Sequence, residues 1–291
     1  MNRISANEHT LPPKISVITI VRNGLPFLEK TIESVLGQQY RNLEYIVIDG
    51  GSTDGTVDII KSHESRITRW VSEKDDGIAH AFNKGLSFAT GDYILFLNSD
   101  DALVNMHILE EVAEKIVENN FPTLIYGDCN VLDRNTDELV YRTAINFSRE
   151  GLRFGRMLPH PSLFTNRRYF DEYGEFDTQF KVAMDYEWLL RGGHHEQIIH
   201  TSLLVTNVRT GGVSTLDRSQ VVTEILLALK KNEYIPSRWA ELKVQLYFFT
   251  RSHIKAILKG IGLYKILEHH RKKRASTPIN GKLENDIQDK K

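Results

Sequence analysis

Three short apolar runs, each ending in polar side chains, constrain the fold of this chain more than any other feature. They are ISVITIV at 15–21, LEYIVID at 43–49 and DYILFLN at 92–98, and the segments between them carry apolar residues at helical spacing. Near-continuous apolar, β-branched runs are typical of strands buried on both faces of a parallel sheet. Strands that alternate with helices predict an α/β fold with a Rossmann-like, mostly parallel sheet flanked by helices.

The alternation of strands and helices becomes less regular after about residue 130. We predict two more strands at 67–72 and 123–128 and a hairpin at 131–143. A helix at 183–193 and a long strand at 198–208 are expected to follow. The hairpin turn would contain Asn135 and Asp137. We expect a flexible arm at 1–13 and a disordered tail at 275–291. Between them we expect an α/β domain with halves at 14–128 and 129–215, followed by a helical extension at 216–274.

Composition excludes several classes of protein. The 291 residues include 37 Lys and Arg against 38 Asp and Glu, a formal net charge of −1, so no global basic excess points to nucleic acid. The single cysteine, Cys129, cannot form an internal disulfide and indicates a reducing compartment. We expect neither a secretory signal nor a membrane-spanning helix, because no apolar run is long enough. These features predict a cytoplasmic protein.

The segment 251–274 is strongly basic, with eight Lys and Arg and one acidic residue, Glu268. One face of this predicted helix carries apolar residues at helical spacing, namely Ile254, Ile257, Ile261 and Tyr264. Two interpretations stay open. The helix docks on the α/β domain with a solvated basic face, or it lies on an anionic membrane surface, which would be the inner face of the cell membrane.

The polar residues at the strand ends are the candidate site, because ligands of open α/β sheets bind outside the carboxyl ends of the strands. The first strand is followed by neither GxGxxG nor a P-loop. Asp49 ends the second and can accept hydrogen bonds from a base or a ribose. Asp100 and Asp101 follow the third, and such carboxylates hold divalent ions on nucleotide diphosphates. The structural alternative is an aspartate that caps the next helix.

The sequence 15–101 resembles the nucleotide-binding half of the family 2 inverting glycosyltransferases, which have the GT-A fold. The motifs that carry the resemblance are SVLGQQ, IDGGSTDGT, DGIAHAFNKG and NSDD, at 34–39, 48–56, 76–85 and 98–101. The match continues through LPHPSLF at 158–164 and EFDTQFKVAMDYEWLLR at 175–191. The third motif is typical of a bacterial branch that builds surface polysaccharides.

The resemblance implies roles for residues at matching positions. Donor-binding residues would be Val21, Asn23, Asp49, Asn83, Lys84, Asn98, Ser99 and Asp100. Asp185 would be the general base, and His160, Glu187 and Trp188 would contact the acceptor. Asp100, helped by Asp101, would hold Mg²⁺ or Mn²⁺, and Arg209 is a candidate to close over the diphosphate. This chain departs from the family at Asn98, where an aspartate is common, and at Met184, where a glutamate is.

The implied activity is inverting transfer of a sugar from a nucleotide-diphosphate donor to a saccharide acceptor, expected to be lipid-linked, in polysaccharide biosynthesis. Two other function classes remain open. One is a non-catalytic component of an assembly complex that binds a sugar nucleotide, which the presence of Asp185 disfavours. The other is a nucleotidyltransferase, which should carry a Gly-rich basic loop after the first strand, and VRNGLP does not supply one.

Overall fold

The computed structural model describes residues 11–143, 145–212 and 218–260. Most of the predicted arm, the basic segment from 261 onward and the predicted tail lie outside these residues. The predicted apolar stripe formed by Ile254, Ile257, Ile261 and Tyr264 lies outside the described side chains as well.

The predicted apolar runs form a four-stranded parallel sheet. Its strands are β1 (Ile15–Val21), β2 (Leu43–Asp49), β3 (Arg69–Ser72) and β4 (Tyr93–Phe96), in the order β3-β2-β1-β4. The crossovers contain α1 (Leu28–Leu36), α2 (Thr56–Ser62) and α3 (Ile78–Phe88). Neighbouring strand residues face opposite sides, so Val17 packs in the core under α1 whereas Ile18 packs in the core under α3. Both faces of the sheet are therefore covered, as the apolar runs predict.

The second half of the domain extends this sheet with mixed strand directions. Its elements are β5 (Ala102–Leu103), α4 (Ile108–Glu118), β6 (Leu124–Leu132), β7 (Leu139–Thr143), α5 (Arg149–Leu152), a 3₁₀ turn (His160–Ser162), β8 (Leu163–Asn166), α6 (Arg167–Tyr173), α7 (Met184–Gly192) and β9 (Ile198–Arg209). β8 lies antiparallel between β4 and β6, β6 runs parallel to β9, and β5 pairs antiparallel with β9. The full order is β3-β2-β1-β4-β8-β6-β9-β5, with β7 on β6. The α/β fold class is confirmed.

The predicted hairpin is confirmed as β6 and β7. Its turn closes through hydrogen bonds from Asp133 N to Glu138 O and from Asp137 N to Asp133 O, at 2.8 and 2.9 Å. Asp137 has φ +55°, a left-handed conformation that aspartate adopts more readily than most residues. Because β6 runs alongside β9 as far as Arg209, the hairpin turn lies beside the end of β9.

Two helices follow, α8 (Arg218–Lys231) and α9 (Arg238–Gly260). α8 packs against α7, and its Ile225, Ala228 and Leu229 are buried in the same core as α3 and α7. The first part of the predicted extension therefore completes the α/β domain. Within the described part of the chain, no helix is long and apolar enough to cross a membrane.

Candidate active site

A cleft of about 830 Å³ opens at the carboxyl ends of β1 and β4. Its walls come from the loop after β1, the segment after β4, the start of α3, the 3₁₀ turn, the start of α7 and the end of β9. Nine of the predicted site residues line it: Val21, Asn23, Asn98, Ser99, Asp100, Asp101, His160, Asp185 and Arg209. The sheet edge that the strand ends predict is therefore where the cleft lies.

Hydrogen bonds join the loops that follow β1 and β2. Asn23 N donates to Ser52 Oγ at 2.7 Å, and Thr53 N donates to Asn23 Oδ1 at 2.9 Å. Asp49 is fully buried and accepts hydrogen bonds from the N–H groups of Gly51 and Ser52 and from the hydroxyls of Ser52 and Ser72. The structure thus places Asp49 inside the turn of IDGGSTDGT, and Asp49 does not line the cleft.

Asp100 and Asp101 differ sharply in their environments. Asp101 is 1% exposed, and its two oxygens accept hydrogen bonds from Asn98 Nδ2 at 2.8 Å and Arg209 N at 3.3 Å. Burial, reinforced by the charge of Asp100, raises the pKa of Asp101 to about 7. Asp100 is more exposed, and its Oδ2 lies 2.6 Å from Arg134 Nη1. Neither residue caps the next helix, because α4 begins only at Ile108.

Two guanidinium groups, which we call the arginine pair, lie against the Asp100 segment. Arg134 and Arg209 stack on the ring of Phe27, at 4.6 and 4.8 Å from its centroid. Arg209 Nη1 donates to Asp100 O at 2.6 Å, and its other nitrogens bond to Asp137, which also pairs with Lys30 at 2.9 Å. These two charges stand next to the carboxylate expected at the donor diphosphate. Guanidinium groups bind phosphate oxygens in bidentate geometry.

The residues present meet the minimum for a divalent cation carried by a nucleotide diphosphate. Within the described ranges, no three His, Cys, Asp or Glu side chains cluster closely enough to hold a metal on their own. A cation on donor phosphates needs only one or two carboxylates, and Asp100 supplies one. Asp101 does not fit the predicted role of second ligand, because both of its oxygens are buried and hydrogen-bonded.

Asp185 and His160 both line the cleft, and their charges are coupled. Asp185 is half-buried in the first turn of α7, where its Oδ1 accepts from Tyr186 N at 2.7 Å. A helix N-terminus suits a negative charge. His160 stacks on Phe96 at 5.6 Å. Burial lowers the pKa of His160, and the charge of Asp185 partly opposes that shift, so the two side chains are close.

Four other predicted residues lie outside the cleft. Asn83 forms a pair of hydrogen bonds with the backbone of Phe176, at 2.8 and 3.0 Å, and Lys84 pairs with Glu73 at 2.7 Å. Glu187 is fully buried and pairs with Arg191 and Lys231, at 2.5 and 3.0 Å.

Trp188 is 1% exposed and stacks on Phe170 at 4.8 Å within the core. Hydrogen bonds, ion pairs or core packing thus occupy these four side chains, and none of the four lines the cleft.

Phe27, Asp75 and Arg134 are among the cleft residues that sequence reasoning missed. Asp75 accepts a hydrogen bond from Gly77 N at 3.0 Å and approaches Gly50 so closely that a Cβ there would collide with its carboxylate. Its place before Gly77 in SEKDDG was a usable signal. Arg134 gave none, because only the pairing of β6 with β9 brings the hairpin turn to the cleft.

Comparisons with known proteins agree with this architecture. The model of the family "Glycosyl transferase family 2" matches residues 16–183, more than half of the chain. An uncharacterized glycosyltransferase of Mycobacterium tuberculosis is 34% identical over 184 residues, which are 62% of this chain and 70% of that protein. The PGL/p-HBAD biosynthesis glycosyltransferase of Mycobacterium bovis is 31% identical over 182 residues, covering 62% of this chain and 69% of the relative.

Two solved structures share the fold at low sequence identity. Staphylococcus aureus TarS 1-349 in complex with UDP has a TM-score of 0.58 at 18% identity, with 75% of this chain covered and just under two thirds, 65%, of that chain. The mannosyltransferase PcManGT from Pyrobaculum calidifontis, in complex with GDP-Man and Mn²⁺, has a TM-score of 0.57 at 19% identity, covering 89% and 81%. The chain belongs to glycosyl transferase family 2 and is a glycosyltransferase with the GT-A fold.

Proposed function

We propose that the protein transfers a sugar from a nucleotide-diphosphate donor to a saccharide acceptor with inversion at the anomeric carbon. The observation that carries this proposal is that the arginine pair, Asp100 and the Asp185 carboxylate line one cleft. Cations suit the leaving diphosphate, and a carboxylate suits the incoming hydroxyl. The two charge types meet at the carboxyl edge of the sheet, where a donor can reach both.

The chemistry follows from these charges. The acceptor hydroxyl attacks the anomeric carbon while the bond from that carbon to the diphosphate oxygen breaks. Asp185 takes the hydroxyl proton, which a positioned carboxylate can do with an effect of roughly 10²–10⁴-fold. A single displacement inverts the configuration. Arg134 and Arg209 offset the negative charge that builds on the departing diphosphate.

A divalent cation fits the same position. When bound, Mg²⁺ or Mn²⁺ would supply further charge neutralisation at the diphosphate, and Asp100 is the residue that would hold it. The pairing of Asp100 with Arg134 would then open, leaving Arg134 for the phosphate oxygens. The Mn²⁺ in the mannosyltransferase complex supports a metal of this kind, although that structure is similar only in fold.

Donor and acceptor classes are proposed from the relatives. Structures with this fold were solved with UDP, UDP-GlcNAc and GDP-Man, which supports a sugar nucleotide. A related mycobacterial enzyme is named for PGL/p-HBAD biosynthesis, which supports a glycolipid or lipid-linked saccharide as acceptor. A panel of UDP-glucose, UDP-GlcNAc, GDP-mannose and dTDP-rhamnose, each with and without Mn²⁺, tests the donor class by thermal unfolding.

One donor should stabilise the protein by about 2.7 kcal/mol at a hundred times its Kd. Measured hydrolysis of that donor would support an enzyme. Stabilisation without turnover, with water or with short saccharides as acceptor, would favour the non-catalytic alternative. No stabilisation by any of the four would contradict the proposal.

The membrane surface is a separate part of the proposal. One side of α9 packs on the domain through the buried Val244, while exposed apolar side chains follow each other at helical spacing on the other side: Trp239, Leu242, Leu246 and Phe249. The sequence that follows is the basic segment 251–274. An apolar stripe with aromatic residues and neighbouring basic charge suits an anionic bilayer surface, so we place the protein at the inner face of the membrane.

Co-sedimentation of the full chain with phosphatidylcholine vesicles, with and without phosphatidylserine, tests this placement. We expect binding only to the anionic vesicles, weakened by salt. The double substitution Trp239→Ser and Leu246→Ser should reduce binding, whereas Leu139→Ser, at an exposed leucine of β7, should not. Equal binding to both vesicles, or none, would reject the membrane surface. Self-association without vesicles would identify the stripe as a contact between copies instead.

A further inference from the structure

A carboxylate from α8 is buried against the segment that leads into α7. Glu224 is 8% exposed, and its Oε2 accepts hydrogen bonds from the backbone N–H groups of Lys181, Val182 and Ala183, at 3.1, 2.8 and 2.8 Å. Gln220 Nε2 donates to its other oxygen at 3.0 Å. Three consecutive N–H groups thus converge on one side chain from a distant part of the chain.

The start of α7 needs such an acceptor from outside. Its N-cap residue is Ala183, whose side chain cannot accept a hydrogen bond, whereas helix N-termini carry N–H groups without partners in the helix. Burial tends to raise the pKa of Glu224, yet the N–H groups of Ala183 and Val182 hold it below its ordinary value. Glu224 is therefore a charged acceptor at the positive end of the helix.

The segment that Glu224 holds continues directly into the cleft. Val182 and Asp185 both line the cleft, and Asp185 is two residues beyond Ala183. The middle of α7 is held to α8 at a second point, where Lys231 pairs with Glu187 at 3.0 Å. Glu224 thus contacts the three residues that come directly before α7 and the candidate base, and it lies outside the residues 16–183 that the family model matches.

We propose that Glu224 is a positioning residue for the transfer reaction, because it gathers the N–H groups of 181–183 and so fixes the first turn of α7 and the Asp185 carboxylate. This inference rests on the proposed role of Asp185. Misplacement of a reacting group by about 1 Å can cost roughly 100-fold in rate. Donor binding depends on other elements, β1, β4 and β9, and should be little affected.

Two substitutions and one control test the inference in the full chain. Glu224→Ala removes the acceptor, and Glu224→Gln keeps the shape and one acceptor oxygen while removing the charge. The second variant is needed because Glu224→Ala leaves three N–H groups without an acceptor and can fail to fold. Lys231→Met is the matched control, since it removes a different polar contact of α8, the ion pairs of Lys231 with Glu187 and Asp177.

The measurement is nucleotide release from UDP-glucose, UDP-GlcNAc, GDP-mannose or dTDP-rhamnose, whichever stabilises the protein, together with Tm. We expect Glu224→Gln to lower kcat at least tenfold with donor KM unchanged. Lys231→Met should lower Tm while leaving kcat near the wild-type value. A lower Tm for Glu224→Gln with unchanged kcat would overturn the inference and leave a structural contact.

A double-mutant cycle separates this inference from the proposed function. If Glu224 acts through Asp185, Glu224→Gln should not lower kcat further in an Asp185→Asn background, whereas independent effects would multiply. Multiplied effects would contradict the inference while leaving the base in place. Full activity of Asp185→Asn alone would instead contradict the proposed function.

Discussion

Arg134 Nη1 lies 2.6 Å from Asp100 Oδ2, so the carboxylate expected to hold a cation is paired with a guanidinium from the β6–β7 turn. Arg209 bonds to the carbonyl oxygen of the same aspartate at 2.6 Å. The two residues of the arginine pair come from distant parts of the chain and share the ring of Phe27. The Arg134 side chain is 39% exposed and open to a nucleotide diphosphate that enters this cleft, whereas the Arg209 side chain is 4% exposed and adds its charge from behind the Asp100 segment.

Removal of Arg134 should weaken donor binding. A hydrogen bond to a charged group contributes about 1.5–3 kcal/mol, so Arg134→Ala should raise the donor Kd roughly 10- to 100-fold. Isothermal titration with the stabilising sugar nucleotide measures this change. Arg142→Ala is the control, because Arg142 does not line the cleft and pairs instead with Asp128, at a distance of 3.0 Å. An equal loss of affinity in both variants would contradict a specific role for the arginine pair.

Metal removal should show that Asp100 and Asp101 have different roles. We expect excess EDTA to abolish turnover and Mn²⁺ or Mg²⁺ to restore it, because Asp100 and the donor phosphates would hold the ion. Asp100→Ala should lose this restoration. Asp101→Asn should keep it, since the Asp101 oxygens bond to Asn98 and Arg209. Full turnover in excess chelator would show that the arginine pair neutralises the diphosphate alone.

The titration of His160 should report its closeness to Asp185. Burial lowers the pKa of His160, and the negative charge of Asp185 opposes part of this shift. Asp185→Asn should therefore lower the pKa of His160 further, which a ¹H NMR titration measures. A lowered histidine pKa means that the unfolded chain binds the proton more readily. The contribution of His160 to the free energy of unfolding is therefore complete above about pH 6.5, the pKa of histidine in the unfolded chain. This contribution is lost as the pH falls.

The matching stability measurement uses His160→Phe, which keeps a ring against Phe96 and cannot titrate. As the pH falls below about 6.5, the wild type should lose more of its unfolding free energy than this variant does. An unchanged His160 pKa in Asp185→Asn would contradict the proximity of the two side chains.

Two truncations should differ in their effect on folding. A chain that ends after Pro236 keeps α8 and its buried Ala228 and Leu229, so we expect a folded donor cleft. A chain that ends after Gly212 lacks α8, so the core residues that α8 covers would be exposed to water. Circular dichroism and donor-induced stabilisation compare the two proteins. A folded, donor-binding protein that ends at Gly212 would show that α8 is dispensable for the domain.

Strand ends fix one part of the site that the sequence predicts, whereas His160 and Asp185 were predicted from the family resemblance. Val21 ends β1, Asn23 and the 98–101 segment follow buried parallel strands, and such strands bring their carboxyl ends to one edge. The hairpin with Asp137 in its turn was also predictable, since turn residues mark it locally. These features depend on short-range patterns that a single sequence displays.

The parts that the sequence does not predict depend on long-range pairing or on side-chain direction. Arg134 reaches the cleft only because β6 pairs with β9. Glu187 lies about 200° around the helix from Asp185, so it faces α8 and Lys231. Asp49 has the residue type expected of a donor contact, but the N–H groups of its own turn occupy its oxygens.

The most direct test of the proposed mechanism is the kinetic effect of Asp185→Asn, measured beside its donor affinity. This substitution keeps the shape of the side chain and removes its ability to take a proton. We expect kcat to fall by roughly 10²–10⁴-fold while the Kd for the sugar nucleotide stays at the wild-type value. Undiminished turnover, or a loss of donor affinity as large as the loss of turnover, would contradict Asp185 as the base.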